Sequence, residues 1–321
     1  SLALLGIGTA ATGFFPSVLG IYATTVVMSL GYHYYETLQL SLSLQWIDKV
    51  RAPETLGRLL SAGAVTSIVV YGLVWLTSDL LAMDYLWIYM IGGGATEVIA
   101  LVAWQSFKKF KQTDEQHKHM VLRKRYWLYY ALVFMSGARR QTFIVFASFL
   151  MVEKFHYDVG AIALLFLLNS AINIWLAPKI GRLIGRIGER KALIFEYIGL
   201  IGVFTSYAFV TNAEVAAGLY VIDHLFFALA IAIKTYFQKI ADPADIASTA
   251  GVSFTINHIA AVLLPAAFGF LWLASPAAVF LTGTAMACCS LVLALNVPRH
   301  PRPGHEVLIG RIPVPAAAAA E

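Results

Sequence analysis

Ionisable and amide side chains interrupt several long apolar runs of this sequence, and its chemistry must lie there. Tyr32-His33-Tyr34-Tyr35-Glu36 is followed one helical turn on by Gln39. Arg139-Arg140-Gln141 breaks a second run near its middle. Asn169 and Asn173 share one face of a third, one turn apart. Asp223-His224 and Asn257-His258 are adjacent pairs in two more, while Glu97 and Lys234 stand singly. An ionisable group at membrane depth is costly unless it is paired or used, so each position is a functional candidate by default.

The residue types point to solute and proton handling. Arg139 and Arg140 can engage an anionic or polar solute. Being adjacent, their side chains diverge by about 100° on a helix of 3.6 residues per turn. Both cannot point into one cavity equally, and one can instead bridge to an acid such as Glu36 or Asp223. Tyr32, Gln141, Asn169, Asn173 and His258 are further candidate solute contacts. Glu36 and Asp223 are candidate proton carriers, because burial disfavours a charged carboxylate whereas a nearby arginine favours it. His33 and His224 join them, since imidazole changes charge near physiological pH. Each has a structural alternative: the asparagines as interhelical glue, the histidines as packing residues, Lys234 as a side chain reaching out to the surface. His33 and Glu36, spaced i, i+3 with Asp223-His224 opposite, could in principle hold a metal. The neighbouring arginines disfavour a cation, so no metal site is expected.

Other chemistries lack their motifs. There is no phosphate-binding glycine loop, no paired-cysteine metal motif and no Gly-x-Ser-x-Gly elbow. Neither an enzyme nor a resident cofactor is expected, and an ion or solute gradient would replace ATP. The two cysteines, Cys288 and Cys289, are adjacent, so no disulfide framework exists.

The elements that must position these groups are membrane helices. Of 321 residues, 59% are hydrophobic and only 13% charged; mean hydropathy is +0.73. Soluble domains run near a quarter charged, and apolar surface on this scale would aggregate in water. A spanning helix needs about 20 apolar residues. Such runs fall at 1–15, 17–46, 56–77, 84–106, 127–152, 158–179, 191–210, 214–239, 246–272 and 276–297, with Phe15-Pro16-Ser17 dividing the first two. Glu36 lies about ten residues from the end of its run, roughly 15 Å at 1.5 Å per residue, which is mid-bilayer.

Charge sets the orientation. Twenty of the 23 Lys and Arg fall near alternate ends of the runs: Lys49, Arg51 and Arg58; seven within 106–126, including Lys108, Lys109, Lys111 and Lys118; five within 179–191; Lys234 and Lys239; and Arg299, Arg302 and Arg311. The opposite loops hold Lys154 among acids such as Asp79, Asp84, Glu153, Asp158 and Glu214. This asymmetry places the basic loops and the C-terminus in the cytoplasm. The expected organisation is an N-terminal helical bundle over 1–106, a basic cytoplasmic linker over 107–126, a six-helix bundle over 127–298 and a cytoplasmic tail over 299–321. Gly92-Gly93-Gly94 reads as a close helix contact rather than a nucleotide loop.

The halves resemble each other weakly. With His33 set against His224, Trp46 and Phe237 follow thirteen residues later. Asp48-Lys49-Val50-Arg51-Ala52-Pro53-Glu54 then faces Lys239-Ile240-Ala241-Asp242-Pro243-Ala244-Asp245, with a one-residue slip at the proline. Repeated halves of this kind are a transporter architecture. The match implies a first half of six spans, two of them before Ser1. Gly181-Arg182-Leu183-Ile184-Gly185-Arg186-Ile187-Gly188-Glu189-Arg190-Lys191 resembles the short basic loop Gly-x-x-x-Asp-Arg-x-Gly-Arg-Arg between helices 8 and 9 of the major facilitator superfamily. Arg51-Ala52-Pro53-Glu54-Thr55-Leu56-Gly57-Arg58 resembles that family's loop between helices 4 and 5.

The resemblance implies an all-α, two-bundle membrane transporter covering the third to twelfth helices, with solute and coupling ion bound in a polar layer at the midplane. It implies a conformational loop of Gly181, Arg182, Arg186, Gly188 and Arg190; Gly185 replaces the family's acid, which argues against a charge relay there. The expected function is a monomeric, proton-coupled permease of the cell's inner (cytoplasmic) membrane. It would move a small polar or anionic organic solute by alternating access, with lipid, solute and protons as partners and no nucleic acid. The alternatives are a transporter-like assembly factor or receptor without transport, and a metal-ion transporter.

Overall fold

The apolar runs become ten helical rods in the computed structural model, which describes residues 1–106, 114–117 and 119–312. Lys108, Lys109, Lys111 and Lys118 of the basic linker, and 313–321 of the tail, lie outside the described residues. A chain in hydrocarbon must close its own backbone hydrogen bonds, and helices do this within each segment. The rods are α1 (Leu2–Phe14), α2 (Val18–Trp46), α3 (Ala52–Trp75) and α4 (Tyr85–Ser106). Next, α5 (Trp127–Gln141) passes through a π-helical turn, Thr142–Ala147, into α6 (Ser148–Phe155). α7 (Val159–Ile187) and α8 (Glu189–Phe209) follow. α9 (Ala213–Phe227) runs through a 3-10 turn, Ala228–Ala230, into α10 (Ile231–Ile240), and α11 (Ile246–Ala274) and α12 (Pro276–Leu295) complete the set.

Seven described helices are long and apolar enough to cross a membrane. α2 and the α5–α6 rod have the length, but their polar clusters at 32–39 and 139–141 dilute the apolarity. Short polar residues start several rods: Asp158, Asn212 and Ser275 each accept a backbone N–H of the turn that follows.

Contacts divide the chain into two units, Ser1–Leu42 with Thr66–Glu115, and Ser43–Val65 with Gln116–Glu321. The first is built on α1 against α4. A methyl group at Gly93 would meet Ala10 and the Gly6 carbonyl, and one at Gly6 would meet the Glu97 carboxylate. Gly93 is therefore the member of Gly92-Gly93-Gly94 that close packing requires.

In the second unit α8 packs on α12, and α5 on α11 and α12. Its core is rich in buried rings: Tyr129 stacks on Phe237 at 4.3 Å and Tyr207 on Phe280 at 5.1 Å. Such pairs contribute about 0.5–1.5 kcal/mol beyond their buried area. Gln238, at the end of α10, donates to the Leu44 and Ile47 carbonyls at 2.9 and 2.7 Å. It thus joins the ends of the two helices that the internal repeat pairs. Ser61 of α3 donates to the Ile174 carbonyl of α7 at 2.6 Å. Gly57 and Gly181 lie so close to the facing backbone that neither has room for a side chain.

The basic stretch after 179 differs from its expected loop form. Gly181, Arg182 and Arg186 are helical, and the turn narrows to Gly188, with φ +82° and ψ 160°. That conformation is essentially restricted to glycine. The helix outlasts its apolar run because Ile180 and Ile184 stay buried while Arg182 and Arg186 face outward. The described tail is also folded. Tyr236 donates to the Glu306 carbonyl at 2.7 Å, and the Asn296 side chain brackets Ile309 at 2.7 and 3.1 Å.

Candidate functional site

Three helices of the second unit bring charge together in its interior. Arg139, twelve residues into α5, is 1% exposed, and its Nη2 donates to Oε1 of Glu196 on α8 at 2.7 Å. Glu196 is fully buried. The guanidinium carbon lies 5.4 Å from the Tyr197 ring and 5.5 Å from the Phe227 ring, within cation–π range of both. Asp223 of α9 is fully buried as well, and its charge acts on both Arg139 and Glu196. Neither Asp223 oxygen accepts a hydrogen bond among the described residues, and Oε2 of Glu196 is likewise without a donor. One cation thus faces two acids and is hydrogen-bonded to one. A single proton on the pair of acids makes the centre electrically neutral.

His224, beside Asp223, is walled by rings. Phe143 lies 5.3 Å away, Tyr220 5.8 Å, Phe227 6.0 Å and Phe166 6.4 Å. Phe227 therefore touches both the arginine and the histidine. Phe143 belongs to the π-helical turn that begins just after Gln141. The 3-10 turn after Phe227 likewise interrupts the second rod beside its polar residues. Departures from α geometry within a helix often mark functional positions, and here both adjoin the buried charges.

The structure separates the other candidates. Arg140 is exposed, so the adjacent arginines diverge, one inward and one outward; Gln141 is half-buried. Asn169 is 1% exposed with no partner for its amide among the described residues, while Asn173 is only half-buried. Asn257 lies against the Gly137 backbone of α5. His258 donates from Nδ1 to the Phe254 carbonyl at 2.9 Å and stacks on the Phe254 ring at 3.9 Å. Tyr32, His33 and Glu36 belong to the first unit, where Nδ1 of His33 lies 4.0 Å from Glu36 Oε2. Glu97 packs on Gly6 and Lys234 is exposed.

The pairing of Arg139 departs from expectation: Glu196, rather than Glu36 or Asp223, takes its hydrogen bond. Glu196 is not among the candidates read from the sequence. Its signal was nevertheless present, as an acid between Leu193 and a long apolar stretch.

These features define a multi-pass helical membrane protein with an ionisable centre enclosed among its helices. The chain belongs to the Major Facilitator Superfamily, whose profile it matches over residues 1–265. Solved structures agree on the fold. The E. coli fucose:proton symporter FucP, in a variant form, gives a TM-score of 0.71 at 14% identity, covering 92% of this chain and 81% of its own. The human organic anion transporter MFSD10 gives 0.67 at 14%, covering 91% and 75%. A bacterial homologue of the iron transporter ferroportin, facing outward, gives 0.65 at 15%, covering 86% and 72%. No curated relative matches.

Proposed function

We propose that this chain is a proton-coupled permease for a small polar or anionic organic solute, working by alternating access. The observation that carries the reading is the buried Arg139–Glu196 pair beside the unpartnered Asp223. A scaffold gains nothing from a second buried acid without a donor, whereas a proton carrier needs one. Protonation of Asp223 leaves the Arg139–Glu196 pair balanced; its loss offers Arg139 a competing partner and changes how α5, α8 and α9 hold together. Exposed Arg140, with Gln141 and Asn173, would meet the solute, and Glu36 with His33 would supply a second titrating group. The basic loops and the C-terminus would face the cytoplasm across the inner membrane.

Proteoliposomes containing the full-length protein test this. Addition of the transported solute should drive proton uptake, and Asp223→Asn should abolish the proton flux while solute exchange continues. Unchanged uptake in Arg139→Ala, Arg140→Ala and Glu36→Gln would sink the site assignment. A stoichiometric protein partner co-purifying with a chain that transports nothing would favour an assembly factor instead.

A further inference from the structure

A second charged feature is formed where the folded tail meets the start of α8. The folded tail and the start of α8 border an open cavity of about 440 Å³ lined by Arg190, Arg299, His300, Arg302, His305 and the apolar Pro298 and Leu308. Three arginines and two histidines line it, and no acid does. Its volume falls in the range of small-molecule sites, about 300–1,000 Å³.

The tail is held in this shape by specific bonds. Val297 is buried, and Leu308 donates its N–H to the Asn296 carbonyl at 3.0 Å. A turn at Arg302–His305, closed at 2.9 Å with Gly304 at φ +78°, sets Arg302 and His305 side by side. Arg311 reaches back to the His305 ring at 3.1 Å. A chain segment that converges cations must offset their repulsion, and acids usually do so. Of the neighbouring acids, Glu189 is paired with Lys239 at 2.6 Å, and Glu306, which accepts the Gly304 N–H at 2.9 Å, does not line the cavity. Arg190, Arg299 and Arg302 form no ion pair among the described residues. Arginine forks match phosphate oxygens two at a time.

We propose that this cavity binds a phosphate-bearing anion, either a lipid headgroup or a soluble phosphate. The bound anion ties the tail to the first turn of α8, so it stabilises the folded tail.

The test uses the full chain, with two probes. In nanodiscs, phosphatidylglycerol replaces phosphatidylcholine; in detergent, inorganic pyrophosphate is titrated in. Thermal unfolding and native mass spectrometry are read for the wild type, for Arg190→Gln/Arg302→Gln, and for Lys179→Gln, an exposed cation that does not line the cavity. A rise in Tm with at least one probe is expected, with binding at least tenfold weaker in the double variant and unchanged in Lys179→Gln. A response to phosphatidylglycerol alone identifies a lipid headgroup, and a response to pyrophosphate alone a soluble anion. If neither probe shifts the wild type, or the double variant responds as the wild type does, the site does not exist.

Discussion

Two buried acids of the second unit, Asp223 and Asp245, have opposite surroundings. Asp245, at the turn between α10 and α11, is fully buried yet surrounded by donors. Arg123 approaches its carboxylate at 3.1 Å, Arg125 at 3.3 Å, the Tyr126 hydroxyl at 2.9 Å and His117 at 3.4 Å. Burial, with the Asp245 charge adding to it, pushes the Tyr126 phenol well above its usual range, so it stays a donor at any working pH. Tyr126 also accepts the Asp242 N–H at 3.0 Å. Asp223 has none of this. A buried carboxylate whose lone pairs are filled secures the fold; one left empty costs its desolvation without that return.

The comparison makes Glu196 the most damaging residue to remove. Glu196→Ala leaves Arg139 charged, buried and without its hydrogen-bonded partner, a loss of about 3–5 kcal/mol. Thermal unfolding in detergent should show the lowest Tm of the variants discussed below. Replacing the pair together, as Arg139→Met/Glu196→Leu, should recover most of that stability while leaving transport dead. If the double variant remains as unstable as the single one, the pair holds the helices together through shape rather than charge.

Asp245→Asn comes next. It weakens bonds from two arginines, but Arg123 is substantially exposed, so screening trims the loss to about 2 kcal/mol. Because Arg123 and His117 lie in the segment that precedes α5, limited proteolysis there should accelerate in this variant. Equal protection in wild type and variant would show that the segment is held by Gln116, which bonds the Pro243 carbonyl and the Ala247 N–H, instead.

The difference between the two acids explains how much the sequence could disclose. The rods were legible because apolar runs in lipid have one backbone solution; even the break at Phe15-Pro16-Ser17 lies where expected. The π turn at Thr142–Ala147 and the 3-10 turn at Ala228–Ala230 were not legible, since neither contains Pro or Gly and tertiary packing sets them. Asp223 was legible as an acid in an apolar run. Its lack of donors, and the bond between Arg139 and Glu196 57 positions away, exist only once α5, α8 and α9 meet. Asp245 looked like a loop acid, and nothing in its own stretch announced four partners 119 or more positions upstream.

His224 probes the edge of the same centre. Its Nδ1 has no partner among the described residues and its neighbours are rings. His224→Phe should therefore cost less than about 1.5 kcal/mol, as near-isosteric core changes do. If His224 only packs, uptake survives the change; loss of uptake at near-wild-type Tm assigns it a part in proton movement.

Asp223→Asn should perturb the fold least. The substitution is nearly isosteric and removes no hydrogen bond, so the change in unfolding free energy should stay below about 1 kcal/mol. The amide cannot ionise, so the centre is fixed as Arg139 with Glu196 alone, the arrangement proposed for the protonated carrier. Solute exchange down its own gradient should persist while proton flux is lost. A fall in Tm matching that of Asp245→Asn would mean that Asp223 does hold the fold together. The contrast between a filled and an empty buried acid would then not separate structure from function in this protein.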